Sequence, residues 1–404
     1  MVFFLELSPL PHRLLDVLIY PIAQFLILPL TTVYHTLRYV ILGPPFPGWT
    51  LSHYLAINRR RVFYGLYTWR RVALFDPEEA EMPREAKKYL VSDANGDGRC
   101  DAEKVECVPY KEDEFTPPVL RVARDLIVQK AVPGFWIEAR GVNGKQDLTR
   151  DAAPDERVIY FIVGGGYMGG HPLRIHTPWS LAKISKARVF SANYRKSLSD
   201  STAFPCSLLD TLAGYQYLIE EKHFEPKNII LCGDSAGGNA CLALAKCLGE
   251  MESLSSKRFG QVGGLCLHSP WSDMTSSFPS IVSNRYNDHL VDLTTSYIPS
   301  HTRHFTDKTN PYLSPALSPF GSFEYLKGHD TKVYISAGSA EAFYDEILAL
   351  YNGMKRDGVE VELRVLEGAT HSEFIWLDRD EISTMGWSWD ILTTDFERLW
   401  ERAA

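Results

Sequence analysis

The chain has 404 residues, which is long for one domain and short for three, and this favours one large core with an appendage. Its composition of 45% hydrophobic, 12% aromatic and 23% charged residues excludes an extensively disordered chain. The net charge of −8, from 42 basic and 50 acidic residues without a long basic stripe, argues against nucleic acid as a partner.

The first element is an apolar segment, residues 14–34, with one formal charge, Asp16, near its edge. As a helix it is long enough to cover a hydrocarbon core of roughly 30 Å. No small-residue cleavage site follows, so we expect residues 1–45 to be a membrane anchor, spanning or re-entrant, rather than a signal peptide. Pro21 and Pro29 would kink this helix, which membrane helices tolerate. A helix packed on the protein's own surface is the alternative.

The region after the Pro/Gly-rich break at residues 43–48 shows mixed helical patterns and, between residues 50 and 130, no clear sheet. It contains the triplet Arg59, Arg60 and Arg61. We interpret the triplet as the solvated face of a helix. The functional alternative is that these arginines contact lipid head groups.

Residues 93–104 imitate a calcium loop, with oxygen ligands at the first, third and fifth positions and glycine at the sixth. The twelfth position, which needs a bidentate carboxylate, is Lys104, and Glu103 comes one residue early. We therefore interpret the segment as a polar surface turn and expect no metal. Of the seven cysteines, Cys100 and Cys107 in this polar region look able to pair, and whether they do stays open.

From about Trp136 onward, short β-branched runs alternate with longer helical stretches, which predicts a mostly parallel sheet with crossover helices. Several runs are continuously apolar, as expected for strands covered on both faces. The predicted strands are residues 158–163, 188–192, 228–232, 264–267, 332–337 and 361–366.

The run Gly233-Asp234-Ser235-Ala236-Gly237 follows one of these strands and precedes a helix of small residues, which is the context that a G-x-S-x-G nucleophile turn requires. Side chains at the two glycine positions would collide with the neighbouring strand and helix. The turn then presents the hydroxyl at a helix N-terminus, where developing negative charge is favoured. We predict that Ser235 is a nucleophile.

A nucleophilic serine needs a base and an orienting acid, and after this turn the acid and then the histidine are expected in loops that follow strands. His371 follows the last predicted strand and is the expected base, whereas His268 precedes the expected acid and is interpreted as structural. Glu341 is the first carboxylate after its strand. Asp345 and Glu346 look like the first turn of a helix, where acidic residues stabilise the dipole. Glu341 is favoured as the acid, with Asp345 as the alternative.

Glycines 164–166 and 169–170 follow the strand at residues 158–163 and allow backbone N–H groups to approach a substrate oxygen, which predicts an oxyanion hole. A dinucleotide-binding loop is the alternative. The spacing does not match G-x-G-x-x-G and no acidic residue stands at the expected distance, so the prediction is an oxyanion loop without a cofactor.

Together these motifs resemble the hormone-sensitive-lipase-like family of α/β-hydrolases, which carries Gly-Asp-Ser-Ala-Gly-Gly at the nucleophile and His-Gly-Gly-Gly at the oxyanion loop. The resemblance covers roughly residues 135–375 and includes two further landmarks, the runs at residues 269–273 and 310–315. Val163 replaces the family's oxyanion-loop histidine. That histidine supports the loop and does not react, so we expect altered loop support with activity retained.

The resemblance also implies roles for individual residues. Glu341 matches the family's acid and Asp345 its follow-on carboxylate, while the amides of Gly165, Gly166 and Ala236 would be the oxyanion donors. It implies an α/β-hydrolase fold with a mostly parallel central sheet and helices on both faces. Behind the anchor, residues 46–130 would form a helical cap over the acyl pocket and residues 131–404 the catalytic core.

The implied activity is serine-dependent hydrolysis of a carboxylic ester, without metal or organic cofactor. The anchored architecture is most similar to fungal membrane-bound steryl acetyl hydrolases and secondary-metabolite deacetylases. This likeness implies a short-acyl ester of a lipophilic sterol, terpenoid or related alcohol, and a location in the endoplasmic reticulum membrane. The same residues fit acyl transfer to an alcohol. A ligand-binding receptor on this scaffold is disfavoured because serine, acid and histidine are all present. The natural substrate, the membrane side and the oligomeric state stay open.

Overall fold

A computed structural model describes residues 21–70, 76, 78–90, 100–140, 147–254, 258–290, 297–329, 331–373, 394 and 396–399. The start of the predicted anchor and most of the calcium-like loop, residues 93–99, lie outside the described residues.

An eight-stranded sheet forms the centre of the protein, with the strand order β1-β2-β4-β3-β5-β6-β7-β8. Strands β3 to β8 run parallel to one another, whereas β2 is antiparallel to both β1 and β4. Every residue of β3, β4, β5 and β6 is buried, as expected for strands covered on both faces. The strands are β1 Cys100–Cys107, β2 Val132–Ala139, β3 Val158–Ile162, β4 Arg188–Ala192, β5 Ile229–Asp234, β6 Gly264–His268, β7 Lys332–Gly338 and β8 Val361–Leu366.

Helices connect the parallel strands and pack against the sheet. Helix α5 contacts β3, β5 and β6, helix α4 contacts β2 and β4, and helix α9 contacts β7 and β8. The described helices are α1 Ala23–Leu42, α2 Leu51–Arg70, α3 Thr177–Ser185, α4 Cys206–Gln216, α5 Ala236–Ser253, α6 Ser280–Ser283, α7 Tyr297–His301, α8 Glu324–Lys327 and α9 Tyr344–Arg356.

The predicted parallel strands are confirmed, but the expectation of no clear sheet between residues 50 and 130 is wrong. Strand β1 lies there and forms the edge of the sheet, paired along its length with β2. As an edge strand it carries polar residues such as Glu103 and Lys104 that are only partly buried, so it lacks a continuous apolar run.

The cysteines Cys100 and Cys107 do not pair. They stand at opposite ends of β1, and both are buried and outside any disulfide. Along an extended strand this places their Cα atoms about 23 Å apart, whereas a disulfide requires a separation of less than about 7 Å. The polar pattern had suggested a loop, in which the two residues could have met.

Helix α1 is long and apolar enough to cross a membrane, by length and composition alone. It ends at Leu42, later in the chain than the predicted segment at residues 14–34, and the first part of that segment lies outside the described residues. Residues Ala23–Ile27 form one π-helical turn, and an α-helix follows from Leu28, the residue before Pro29. Pro29 has no backbone N–H to donate to the preceding turn, and the π-helical turn lies at this interruption of the helix. The hydroxyls of Thr31 and Thr32 donate hydrogen bonds to the carbonyls of Ile27 and Leu28.

Candidate active site

The site lies where parallel strands end. The carboxyl ends of parallel strands share one edge of a sheet, so the loops that follow them meet there. The residues in the loops after β3, β5, β6, β7 and β8 are, in that order, Gly164, Ser235, Ser269, Glu341 and His371.

The backbone at Ser235 is held in an unusual conformation, with φ 53° and ψ −122°. A Cβ on Gly237 would lie 2.0 Å from the carbonyl oxygen of Ile162, and one on Gly233 would lie 2.6 Å from the Gly237 backbone. Both positions therefore require glycine. The amide of Ser235 donates to the His268 carbonyl at 2.9 Å, which ties the turn to β6.

A continuous hydrogen-bonded chain joins the three predicted side chains. His371 Nε2 lies 2.9 Å from Ser235 Oγ, and His371 Nδ1 lies 2.8 Å from Glu341 Oε2. The other carboxylate oxygen of Glu341 accepts from the Gly338 amide at 2.8 Å and from the Ser269 hydroxyl at 3.2 Å. The arrangement can move a proton from the hydroxyl to the imidazole while the carboxylate fixes the ring.

Burial and charge act in opposite directions on the imidazole. Burial lowers the pKa of His371, but the hydrogen bond and charge of Glu341, with the charges of Asp288 and Asp234, outweigh it, so the pKa is raised above its ordinary value. Burial raises the pKa of the Glu341 carboxyl, and its hydrogen bond with His371 opposes that effect. A base poised in this way accepts a proton readily and holds it next to an anion.

The competing carboxylates of the same segment point elsewhere. Asp345 Oδ2 accepts the Ser280 amide at 2.8 Å, in the first turn of α9. Glu346 Oε1 accepts the amides of Ser272 and Asp273 at 2.7 and 3.1 Å, and this side chain is fully buried. Of the three candidates weighed for the acid, Glu341 is the one in contact with the imidazole.

The glycine loop after β3 lies against the serine turn. Gly165 and Gly166 both have positive φ, at 106° and 62°, which favours glycine. A Cβ on Gly166 would lie 2.3 Å from the ring of Tyr297. Ala236 begins helix α5 directly after Ser235, so its amide has no intrahelical partner. The loop and the helix start bring the three predicted donors to the same edge of the sheet.

Other groups support this loop where the family's histidine is replaced by Val163. The Tyr194 hydroxyl donates to the Val163 carbonyl at 2.8 Å, and the Gly164 amide donates to Asp234 Oδ1 at 3.2 Å. Burial raises the pKa of Asp234 to about 6, and the Gly164 hydrogen bond and the charge of His371 oppose it. Tyr194 and Asp234 therefore hold the backbone of the loop at the position where the family has a histidine.

Sequence reasoning missed Asp288, which joins the loops of the acid and the histidine. Its carboxylate accepts the His371 amide at 3.2 Å and the Ala342 amide at 2.7 Å. Ser269, noticed only as part of a family landmark, bridges the same loops, because its hydroxyl donates to Glu341 and accepts the Ser372 amide at 3.0 Å. Asp288 lies in a segment without periodic pattern or motif, so no sequence signal marked it.

A group of potential metal ligands lies in the sheet itself. Ligand atoms of Cys232, Cys266 and His268 fall within 4.8 Å of one another, and all three residues are buried. His268 Nδ1 lies 2.9 Å from the Ser336 hydroxyl and Nε2 lies 3.3 Å from Cys266 Sγ. Both ring nitrogens thus have protein partners, in agreement with the structural role predicted for His268.

Comparison with known proteins shows the family of the chain. A family model described as the α/β-hydrolase fold matches residues 158–375. The ethyl acetate hydrolase of Pseudomonas putida is 25% identical over 229 residues, which cover 55% of this chain and 67% of that protein. The versiconal hemiacetal acetate esterase of Emericella nidulans is 26% identical over 239 residues, covering 56% and 76%.

Solved structures agree on the fold. An esterase from the bacterial hormone-sensitive lipase family superposes with a TM-score of 0.57 at 20% identity, covering 85% of this chain and 96% of that one. An esterase/lipase from an uncultured bacterium gives 0.56 at 19% identity, covering 84% and 98%. The predicted recognition of a hormone-sensitive-lipase-like α/β-hydrolase is confirmed, and the predicted class of carboxylic ester hydrolase agrees with these relatives. The chain belongs to the α/β-hydrolase family.

Proposed function

We propose that this chain is a serine carboxylic ester hydrolase with Ser235 as nucleophile, His371 as general base and Glu341 as the orienting acid. The observation that supports these roles is the hydrogen-bonded chain from Ser235 Oγ through both ring nitrogens of His371 to Glu341 Oε2, with distances of 2.9 and 2.8 Å. Serine is a weak nucleophile unless an adjacent base takes its proton, and the base works only in the correct tautomer and orientation.

The reaction follows from these contacts. Ser235 Oγ attacks the ester carbonyl carbon while its proton passes to His371 Nε2, and the carbonyl oxygen becomes an oxyanion that the amides of Gly165, Gly166 and Ala236 would bind. Collapse breaks the bond to the alcohol, which leaves with the proton from Nε2. Water then attacks the acyl-enzyme with His371 as base, and the carboxylic acid departs as Ser235 regains its proton.

We further propose a short-acyl, lipophilic ester as the substrate. The two relatives described above are named for acetate esters, which favours a small acyl group. The resemblance to anchored fungal deacetylases adds the prediction of a sterol, terpenoid or other secondary-metabolite alcohol. We keep the proposal that residues 46–130 contribute a cap over the acyl pocket, except for β1, which belongs to the sheet.

Association with a membrane through α1 is part of the proposal. Phe25, Val40 and Ile41 are exposed at 79%, 73% and 74%, and further apolar side chains of the helix are exposed as well. Large exposed apolar patches mark interaction surfaces, and a lipid bilayer covers such a helix without a protein partner. Location in the endoplasmic reticulum stays a prediction from the resemblance.

Acyl transfer to an alcohol is the second candidate, because the acyl-enzyme formed by Ser235 can be released by any hydroxyl that reaches it. Added short-chain alcohol would then divert the product from free acid to a new ester. A receptor on the same scaffold is disfavoured by the intact contacts among serine, histidine and acid.

Removing the nucleophile is the first prediction. Full-length protein in detergent should hydrolyse p-nitrophenyl acetate, with kcat/KM falling as the acyl chain lengthens towards dodecanoate. Ser235→Ala should lose about 10⁶-fold in kcat, since the remaining groups cannot form the acyl-enzyme. Ser322→Ala, in the loop before α8, is the matched control and should keep wild-type rates. Equal activity in the two variants would rule out Ser235 as nucleophile.

Changing the acid tests its assignment. Glu341→Gln should lower kcat by about 10³- to 10⁴-fold because the imidazole loses its orienting anion. The charge of Glu341 raises the pKa of His371, and the base must be neutral. Activity should therefore rise with pH through that pKa, which gives the plot of kcat/KM against pH an acidic limb. Glu341→Gln should move this acidic limb to lower pH.

Asp345→Asn is the matched control for this experiment, because Asp345 was the alternative acid. It should change kcat less than about threefold and leave the acidic limb in place, as expected for a helix-start residue worth about 1 kcal/mol. The reverse ranking of the two variants would assign the acid to Asp345.

Charged substitutions on α1 test the membrane proposal. Leu30 and Val33, which are 62% and 59% exposed, become lysine in a double variant. Each lysine near the bilayer centre costs about 2.5–3.5 kcal/mol, so vesicle binding by the variant should weaken sharply. Wild-type protein and the control Phe320→Lys, a 72% exposed apolar position on the catalytic body, should sediment with phosphatidylcholine vesicles. Wild-type protein that stays in the supernatant would contradict the proposal.

A further inference from the structure

Helix α2, which follows the apolar helix α1, contacts the loop that carries the histidine. We call residues 367–373 the histidine loop. Just before α2, the indole of Trp49 donates to the Gly368 carbonyl at 2.7 Å, and the Trp49 side chain is buried. In α2 itself, His53 Nδ1 lies 3.7 Å from Glu373 Oε1 at the end of the loop. The N-terminal region thus holds both ends of the histidine loop.

The same region also packs against the loop of the acid. Trp49, Tyr54 and Ile57 form a buried apolar cluster with Ala340, the residue directly before Glu341. The cluster is separate from the main core of the sheet. Two loops of the site therefore rest on one side against α2.

Asp288 connects these loops at the backbone. Its carboxylate is fully buried and accepts three amides, those of His289 at 2.6 Å, Ala342 at 2.7 Å and His371 at 3.2 Å. Because Ala342 follows Glu341, one carboxylate fixes the backbone of both the acid loop and the base. A change in the position of Asp288 would therefore shift the imidazole relative to Ser235.

Arg61 of α2 holds the segment that carries Asp288. Its Nη1 donates to the carbonyl of Asp288 and to the carbonyl of Arg285, both at 2.6 Å. Within the arginine triplet, Arg59 is exposed, whereas Arg60 and Arg61 are partly buried. The interpretation of the triplet as a solvated or lipid-facing surface is thus wrong for Arg61, because these carbonyls belong to the body of the protein.

We propose that Arg61 is a positioning residue for His371 that acts through Asp288, so that the helix attached to α1 is part of the active site and not only a tether. The inference rests on the catalytic roles proposed above. A guanidinium that bridges two carbonyls fixes the turn at residues 285–288. Displacing a reacting group by about 1 Å can cost about 100-fold in rate.

The test compares Arg61→Met with Arg59→Met in the full-length protein. Methionine keeps an apolar stem of similar reach but donates no hydrogen bond. Arg61→Met should lower kcat by about 10- to 100-fold with KM changed less than about twofold, because the displaced imidazole slows the chemistry and leaves the acyl pocket intact. Arg59→Met should keep wild-type values. Arg61→Lys, whose ammonium can still donate to a carbonyl, should restore part of kcat.

A second variant separates positioning from general loosening of the fold. Among the described residues, the charged and titratable groups that act on His371 include Glu341 of the acid loop, Asp234 of the serine turn, and Asp288 with His289. Asp288→Asn removes a negative charge that favours the imidazolium. It should move the acidic limb of kcat/KM to lower pH in addition to lowering kcat. A purely structural role would reduce the folded fraction and leave the limb where it is.

Equal kcat for Arg61→Met and Arg59→Met in an active background would overturn the inference. So would an unmoved acidic limb in Asp288→Asn. A wild-type protein that hydrolyses no ester would instead overturn the proposed function, and the inference with it. The two failures are distinguished by whether the wild type and Arg59→Met are active.

Discussion

The backbone conformation of Ser235 is the constraint on which the site depends. A non-glycine residue at φ 53° and ψ −122° carries a strain of about 1–3 kcal/mol. Hydrogen bonds hold it there, since the Ser235 amide donates to His268 and its carbonyl accepts from Trp271 at 3.0 Å. The sheet and α5 can approach this turn only because Gly233 and Gly237 lack side chains. The turn brings the hydroxyl within hydrogen-bond distance of His371, and helix α5 begins at the next residue, Ala236.

Around that turn, buried carboxylates set the electrostatics of a single imidazole. Glu341, Asp288 and Asp234 lie within interaction range of His371, and each accepts at least one backbone amide that stabilises its charge. In a site shielded from water these charges act more strongly than in solution. They favour the imidazolium that the proposed proton transfer from Ser235 would form. The supporting hydrogen bonds are in place before substrate arrives, so little reorganisation accompanies the reaction.

The parallel strands, and the meeting of Ser235, Glu341 and His371 in the loops that follow them, could be predicted from local patterns. Strand β3 is a continuous apolar run and β4 to β6 are mostly apolar, and the glycines of G-x-S-x-G have a stereochemical reason. Strand β1 could not be recognised, since an edge strand with four charged residues among eight resembles a polar loop. The contact between Arg61 and Asp288 joins residues 227 positions apart, and no local pattern marks either residue. The choice between Glu341 and Asp345 likewise needed three-dimensional distances.

The central claim, that Ser235 is an activated nucleophile, is tested most directly by covalent labelling with a fluorophosphonate at neutral pH, followed by mass spectrometry of the peptides. Serines activated by an adjacent imidazole react with such probes, whereas ordinary hydroxyls do not. The account predicts one stoichiometric adduct on Ser235 that forms in parallel with loss of esterase activity. Labelling at another residue, or full inactivation with Ser235 unmodified, would contradict it.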